Sequence, residues 1–139
     1  VGNALTRRLG FEQAEENGFW NDCVSDMKGK MDFFNDIWRE LDMPYSEPEG
    51  GYFVVVNMSK VTLPENYPFP PHVQERPRDF KLAWFLIQEF GVAAIPPSEF
   101  YSPANQHIGA QWMRFAVCKP DSVLEAAKER LRGLKAYIN

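Results

Sequence analysis

Seven apolar residues, Trp20, Val24, Met27, Met31, Phe34, Trp38 and Leu41, recur at alternating intervals of four and three. On a helix that spacing gathers all seven side chains into one stripe, whereas on a strand they would scatter over both faces. The segment therefore commits to a long amphipathic helix lying against something apolar. The stripe is too short and too aromatic for a two-stranded coiled-coil seam, so a helix laid across a sheet is the better reading. Asn17-Gly18 separates it from a shorter helix over Ala4 to Glu16, and Pro44 and Pro48 close it.

Downstream the pattern alternates. Glu49-Gly50-Gly51 reads as a turn feeding a strand over Tyr52 to Asn57, where Phe53, Val54, Val55 and Val56 are strand formers without helical period. Five prolines between Pro64 and Arg78 predict an extended surface loop. Asp79 to Phe90 reads as a helix apolar on nearly all sides and stopped by Gly91. Val92 to Ile95 is expected to form a short buried strand broken by Pro96-Pro97, and Trp112 to Lys119 another. Ser122-x-x-Glu125 has the form of a capping box opening a last helix, whose stripe runs Leu124, Ala127, Leu131, Leu134, Ile138.

This order predicts one domain over 1–139: a two-layer α/β (α+β) sandwich with a small three- to four-stranded sheet and helices packed on one face. The sheet's other face is expected to meet another domain. The chain carries 11 Phe, 5 Tyr and 4 Trp in 139 residues, more aromatic area than a compact core of this size needs.

Charge and composition exclude several classes. Fifteen Lys and Arg against 19 Asp and Glu give a net −4, and no basic run exceeds Arg7-Arg8, which argues against nucleic-acid binding. The longest apolar stretches, Leu82 to Ile87 and Gly91 to Pro97, fall far short of the ~20 residues a bilayer span needs. No leader with a cleavage site is evident, and the chain opens on Val1, as a fragment or a processed product would. Cys23 and Cys118 read as two buried thiols in a reducing compartment, a single disulfide being the other option.

Arg114 is the most informative residue for chemistry. It sits inside Trp112-Met113-Arg114-Phe115-Ala116-Val117, where a full charge is costly unless something compensates it. Two readings stand. One is structural, an ion pair with an internal carboxylate or an edge position reaching water. The other is functional, a fork of donors for a bound carboxylate, which guanidinium geometry suits bidentately. Other candidates are weaker. Ser25-Asp26-Met27-Lys28 matches a Ser-x-x-Lys pattern but falls on the polar side of the striped helix. His72 and His107 have no second ligand at metal spacing, Gly50-Gly51 is a turn and not a phosphate loop, and the carboxylates scatter without an acid–base pair.

Four blocks in order carry a resemblance: Phe11-Glu12-Gln13-Ala14, Pro48-Glu49-Gly50-Gly51-Tyr52-Phe53, Gly91-Val92-Ala93-Ala94-Ile95-Pro96-Pro97-Ser98-Glu99-Phe100-Tyr101 and Met113-Arg114-Phe115-Ala116. Together, from about Leu9 to Ile138, they resemble the C-terminal small domain of class I/II, fold-type I pyridoxal-phosphate aminotransferases. The similarity is greatest to the kynurenine aminotransferase and glutamine transaminase K branch, whose members often also act as cysteine-conjugate β-lyases. The resemblance implies that Arg114 binds the substrate α-carboxylate and that Phe53 lies near the substrate side chain. It places Ser98 and Tyr101 in a segment bordering the site entrance.

The family's Schiff-base lysine, pyridine-nitrogen aspartate, ring-stacking aromatic and phosphate-binding residues belong to a large domain upstream of these blocks. The resemblance thus implies a longer, homodimeric enzyme whose large domain, amino acid and 2-oxo acid substrates and pyridoxal 5'-phosphate are the partners. No cofactor, metal or catalytic residue is expected on these 139 residues, and the fragment alone is expected to be inactive. A cytoplasmic location is expected, a mitochondrial one being open for the parent. Two other functions compete: a non-catalytic ligand- or partner-binding module with an aminotransferase-like fold, and a dimerisation domain built on the Trp20 to Leu41 stripe.

Overall fold

The computed structural model describes residues 2–139, with side chains from Arg8 onward; Val1 lies outside the described residues. Helices α1 (Gly2–Glu16) and α2 (Phe19–Glu40) are separated at Gly18, whose φ of 72° is the left-handed conformation that glycine adopts without strain. The stripe on α2 then splits in two. Met31, Phe34, Trp38 and Leu41 are buried, while Trp20 and Val24 are 46% and 68% exposed. The helix is longer than the sheet it crosses, so its first turns project beyond the core.

Strands β1 (Phe53–Asn57) and β2 (Trp112–Ala116) pair antiparallel, with Val55 opposite Arg114 and Phe53 opposite Ala116. Alternation puts Val54, Val56, Met113 and Phe115 on the buried face. Single bridges widen the sheet on both sides, Tyr45 against Val56 beyond β1 and Ile95 against Arg114 beyond β2. The sheet is therefore four segments across but only two strands in full. The strand expected over Val92 to Ile95 is reduced to one residue because Pro96 and Pro97 lack the amide hydrogens that would continue the ladder. The strand expected as far as Lys119 stops at Ala116.

Helices cover the buried face. Trp38 and Phe34 of α2 meet Phe115 of β2 with ring centroids 4.8 and 5.9 Å apart. Helix α4 (Arg78–Phe90) adds Leu82, Phe85 and Leu86, and α6 (Asp121–Leu131), which follows the short α5 (Gln106–Gly109) and β2, adds Leu124 and Leu131, to the same apolar cluster. Gly91 closes α4 at φ 61°. Lys128 ties α6 to α2: its ammonium donates to the Phe33 carbonyl at 2.6 Å and lies 3.9 Å from that ring's centroid.

The proline-rich segment is not wholly extended. It contains a short helix, α3 (Pro71–Gln74), which Pro71 can open because the first helical residue needs no amide donor. The capping box expected from Ser122 and Glu125 does not form; α6 starts at Asp121, after Pro120, without a side-chain cap. Both cysteines are free and exposed, contrary to the expectation of buried thiols. Cys23 rides on the projecting turns of α2, and Cys118 follows the end of β2.

Tyr67 anchors the proline-rich segment to α4. Its ring meets Phe85 edge-on at 5.1 Å and its hydroxyl donates to Glu89 at 2.6 Å. Burial, with the hydrogen bond to Glu89 adding to it, pushes the phenol up to about 12. The folded state holds this proton more tightly than the unfolded chain, whose tyrosine ionises near about 10. The stability it contributes is therefore complete below about pH 10 and declines as pH rises towards 12. A phenolate absorbance titration should show a step near pH 12 that Tyr67→Phe removes; an unchanged titration in the variant contradicts the assignment. For the core, Trp38→Ala should lower unfolding free energy in urea by about 3–5 kcal/mol, whereas Val24→Ala should stay within about 0.5 kcal/mol. Equal losses would contradict the split stripe.

Candidate functional site

The half-buried face of the sheet carries Phe53, Val55, Trp112 and Arg114. Arg114 lies opposite Val55 of β1, and both its backbone hydrogen bonds go to Ile95 on the other side, with Arg114 N–H donating to the Ile95 carbonyl at 3.0 Å and Ile95 N–H donating to the Arg114 carbonyl at 2.9 Å. The register places Phe53 diagonally across from Arg114 on the same face, within reach of a long side chain. The guanidinium carbon lies 4.1 Å from the centroid of the Phe53 ring. A second ring, that of Phe100, lies 4.4 Å away.

Among the described residues no carboxylate pairs with Arg114 and none accepts a hydrogen bond from its side chain. Nε is buried and unpartnered, while the terminal nitrogens are not among the buried atoms. A phenyl ring attracts a guanidinium through the negative face of its π system, so the rings compensate the charge without occupying any in-plane donor. The result is a cation oriented by aromatic contact, with its donor fork open. That geometry suits a carboxylate, which takes two parallel N–H bonds from the fork.

The ring of Phe100 arrives on a 3-10 turn, Pro97–Phe100. Ser98 in this turn is fully buried, with its N–H donating to Asp79 Oδ2 at 2.7 Å, while Tyr101 is 40% exposed. Asp79 is itself fully buried at the start of α4, where the helix N-terminus favours negative charge, and its Oδ1 accepts the Phe80 N–H at 3.0 Å. Beside it, burial pulls the Arg78 guanidinium below its ordinary range, opposed by the Asp79 charge. Arg78 donates to the carbonyls of Met58, at 2.9 Å, and Val61.

The structure brings Arg114 and Phe53 together and adds Phe100, which sequence reasoning missed. Its 3-10 turn has no strand or helix period, and only the Ile95–Arg114 bridge signals that the following residues return to the arginine. The weaker candidates stay apart. Ser25 and Lys28 lie on the exposed side of α2, with Lys28 4.0 Å from Asp32. His72 packs edge-on against Trp84 and His107 Nδ1 lies 3.2 Å from the Ala104 carbonyl. No group of potential metal ligands occurs among the described residues. No helix among them is long and apolar enough to cross a membrane. The exposed half of the α2 stripe, with Pro48 and Tyr52, lines a groove of about 620 Å³.

A small antiparallel sheet with helices packed on one face matches the small-domain fold of the fold-type I aminotransferases. The chain aligns with the crystal structure of Bna3p from Saccharomyces cerevisiae at a TM-score of 0.88 and 42% identity, over 93% of this chain and 30% of that one. It aligns with N-succinyldiaminopimelate aminotransferase of Mycobacterium tuberculosis at 0.60 and 24%, over 79% and 25%, a likeness of fold alone.

In sequence it is 44% identical over 121 residues to the probable kynurenine–oxoglutarate transaminase BNA3 of Saccharomyces cerevisiae, covering 87% of this chain. It is 32% identical over 91 residues to human kynurenine–oxoglutarate transaminase 1, covering 66% of this chain. The chain is a homologue of the C-terminal part of the kynurenine–oxoglutarate transaminases. It spans 27% of the yeast relative's length and 21% of the human one. No family model matches the chain.

If Arg114 is held by rings and not by an internal ion pair, its removal strands no buried carboxylate. Arg114→Met should therefore shift the urea unfolding free energy by less than about 1.5 kcal/mol, against the 3–5 kcal/mol typical of breaking a buried ion pair. A loss in the higher range would assign Arg114 to structure.

Proposed function

We propose that these 139 residues form the C-terminal small domain of a longer pyridoxal 5'-phosphate-dependent aminotransferase, in which Arg114 binds the α-carboxylate of the substrates. The observation that carries this reading is a half-buried guanidinium with aromatic rings over it and no acceptor on its donors. The proposed reaction is reversible transfer of an amino group from kynurenine, another aromatic amino acid or glutamine to a 2-oxo acid, in line with the names of the relatives at 44% and 32% identity. Amino acid and 2-oxo acid share one feature, the carboxylate beside the reacting carbon, so one arginine serves both directions.

Two N–H bonds from a planar fork fix the position and plane of that carboxylate, which fixes the reacting carbon one bond away. The ring of Phe53 offers an apolar surface for the substrate side chain on the same face. Arg114 is thus a binding residue that positions substrate, and it moves no proton.

Pyridoxal phosphate supplies the electron sink in such a reaction. The residues around Arg114 do not fit it: they supply two phenyl rings and one guanidinium, with no glycine-rich phosphate cradle among the described residues. The cofactor and its Schiff-base lysine are assigned to the large domain, and the full enzyme to a homodimer. The 139 residues alone are expected to be inactive and to bind no cofactor.

In the full-length enzyme, Arg114→Ala should raise KM for the amino donor at least about 30-fold, the equivalent of losing about 2 kcal/mol of charge-assisted hydrogen bonding. The cofactor absorbance spectrum should stay unchanged. An unaltered KM would contradict the proposal.

A further inference from the structure

We infer that Phe100 is a positioning residue for carboxylate capture, its ring holding the Arg114 guanidinium in the orientation that presents the open donors. The inference rests on the reading of Arg114 as the carboxylate-binding residue.

The chain leaves Arg114's own backbone partner, Ile95, turns through Pro96 and Pro97, and brings Phe100 back over the same arginine's side chain. Phe100 is 61% exposed, so burial does not hold its ring in place. The turn that bears it does. Ser98 is fastened to the fully buried Asp79 carboxylate, and Glu99 pairs with Arg76, whose guanidinium lies 4.2 Å from the Phe80 ring. On the other side the backbone of Gly109 is pressed against the turn; a Cβ there would lie 2.6 Å from the Ser98 nitrogen. The two residues before Phe100 are thus anchored by charge and close packing. A ring so held limits the swing of a long arginine side chain, whose free rotamers would otherwise have to be frozen when substrate binds.

The test is steady-state kinetics on the full-length enzyme. Phe100→Ala, which removes a mostly exposed ring, should raise KM for the amino acid substrate about 5- to 30-fold while kcat stays within about twofold. Phe100→Tyr should restore KM. Inhibition by the corresponding amine lacking the carboxylate should not change. In an Arg114→Ala background, Phe100→Ala should add less than about twofold, because the ring acts through the guanidinium. If Arg114→Ala itself leaves KM unchanged, the carboxylate reading fails and takes this inference with it. If Arg114→Ala raises KM but Phe100→Ala does not, or if Phe100→Ala weakens the amine equally, only the role of Phe100 is overturned.

Discussion

A guanidinium standing on the half-buried face of a small apolar sheet needs compensation, and in this protein aromatic rings provide it. Phe53 and Phe100 lie 4.1 and 4.4 Å from the Arg114 guanidinium carbon. An internal carboxylate would satisfy the same charge more strongly, but it would also occupy the fork of donors and leave nothing for a ligand. Compensation through the π faces of the rings leaves the in-plane hydrogens open. The chemistry assigned to the domain depends on that distinction.

The fold brings those three side chains together. Pairing of β1 with β2 sets Phe53 diagonal to Arg114, and the Ile95 bridge fixes the second edge of the arginine's strand. On the opposite face Trp38 and Phe34 pack α2 against Phe115 of the sheet, so the site stands on the apolar core. The projecting turns of α2 are a different matter: their exposed apolar residues, with Tyr52, line an open groove that the core does not need.

Much of this was legible in the sequence because periodicity reports burial. The stripe on α2 and the stripe Leu124, Leu131, Leu134 mark the helix faces that pack, and Met113 and Phe115 mark the inner face of β2. The stripe could not reveal where the sheet ends beneath α2, since that depends on tertiary structure; hence Trp20, Val24 and Cys23 are exposed despite their spacing. The shortened ladder at Val92 to Ile95 was lost to two prolines, and the helix at Pro71 was hidden because proline both breaks helices and starts them. Arg114 stood out as a charge in an apolar run. Phe100 did not, because its position follows from a turn anchored on the distant Asp79.

Homology to kynurenine–oxoglutarate transaminases and the arginine between two rings both support the proposed capture of a substrate carboxylate. The most direct test is a crystal structure of the full-length protein soaked with its 2-oxo acid or amino acid substrate. The account predicts the substrate carboxylate in the plane of the Arg114 guanidinium, with two N–O distances of about 2.7–2.9 Å and the rings of Phe53 and Phe100 still against the cation. A substrate carboxylate bound elsewhere, with Arg114 paired to an aspartate or glutamate of the protein, would contradict it.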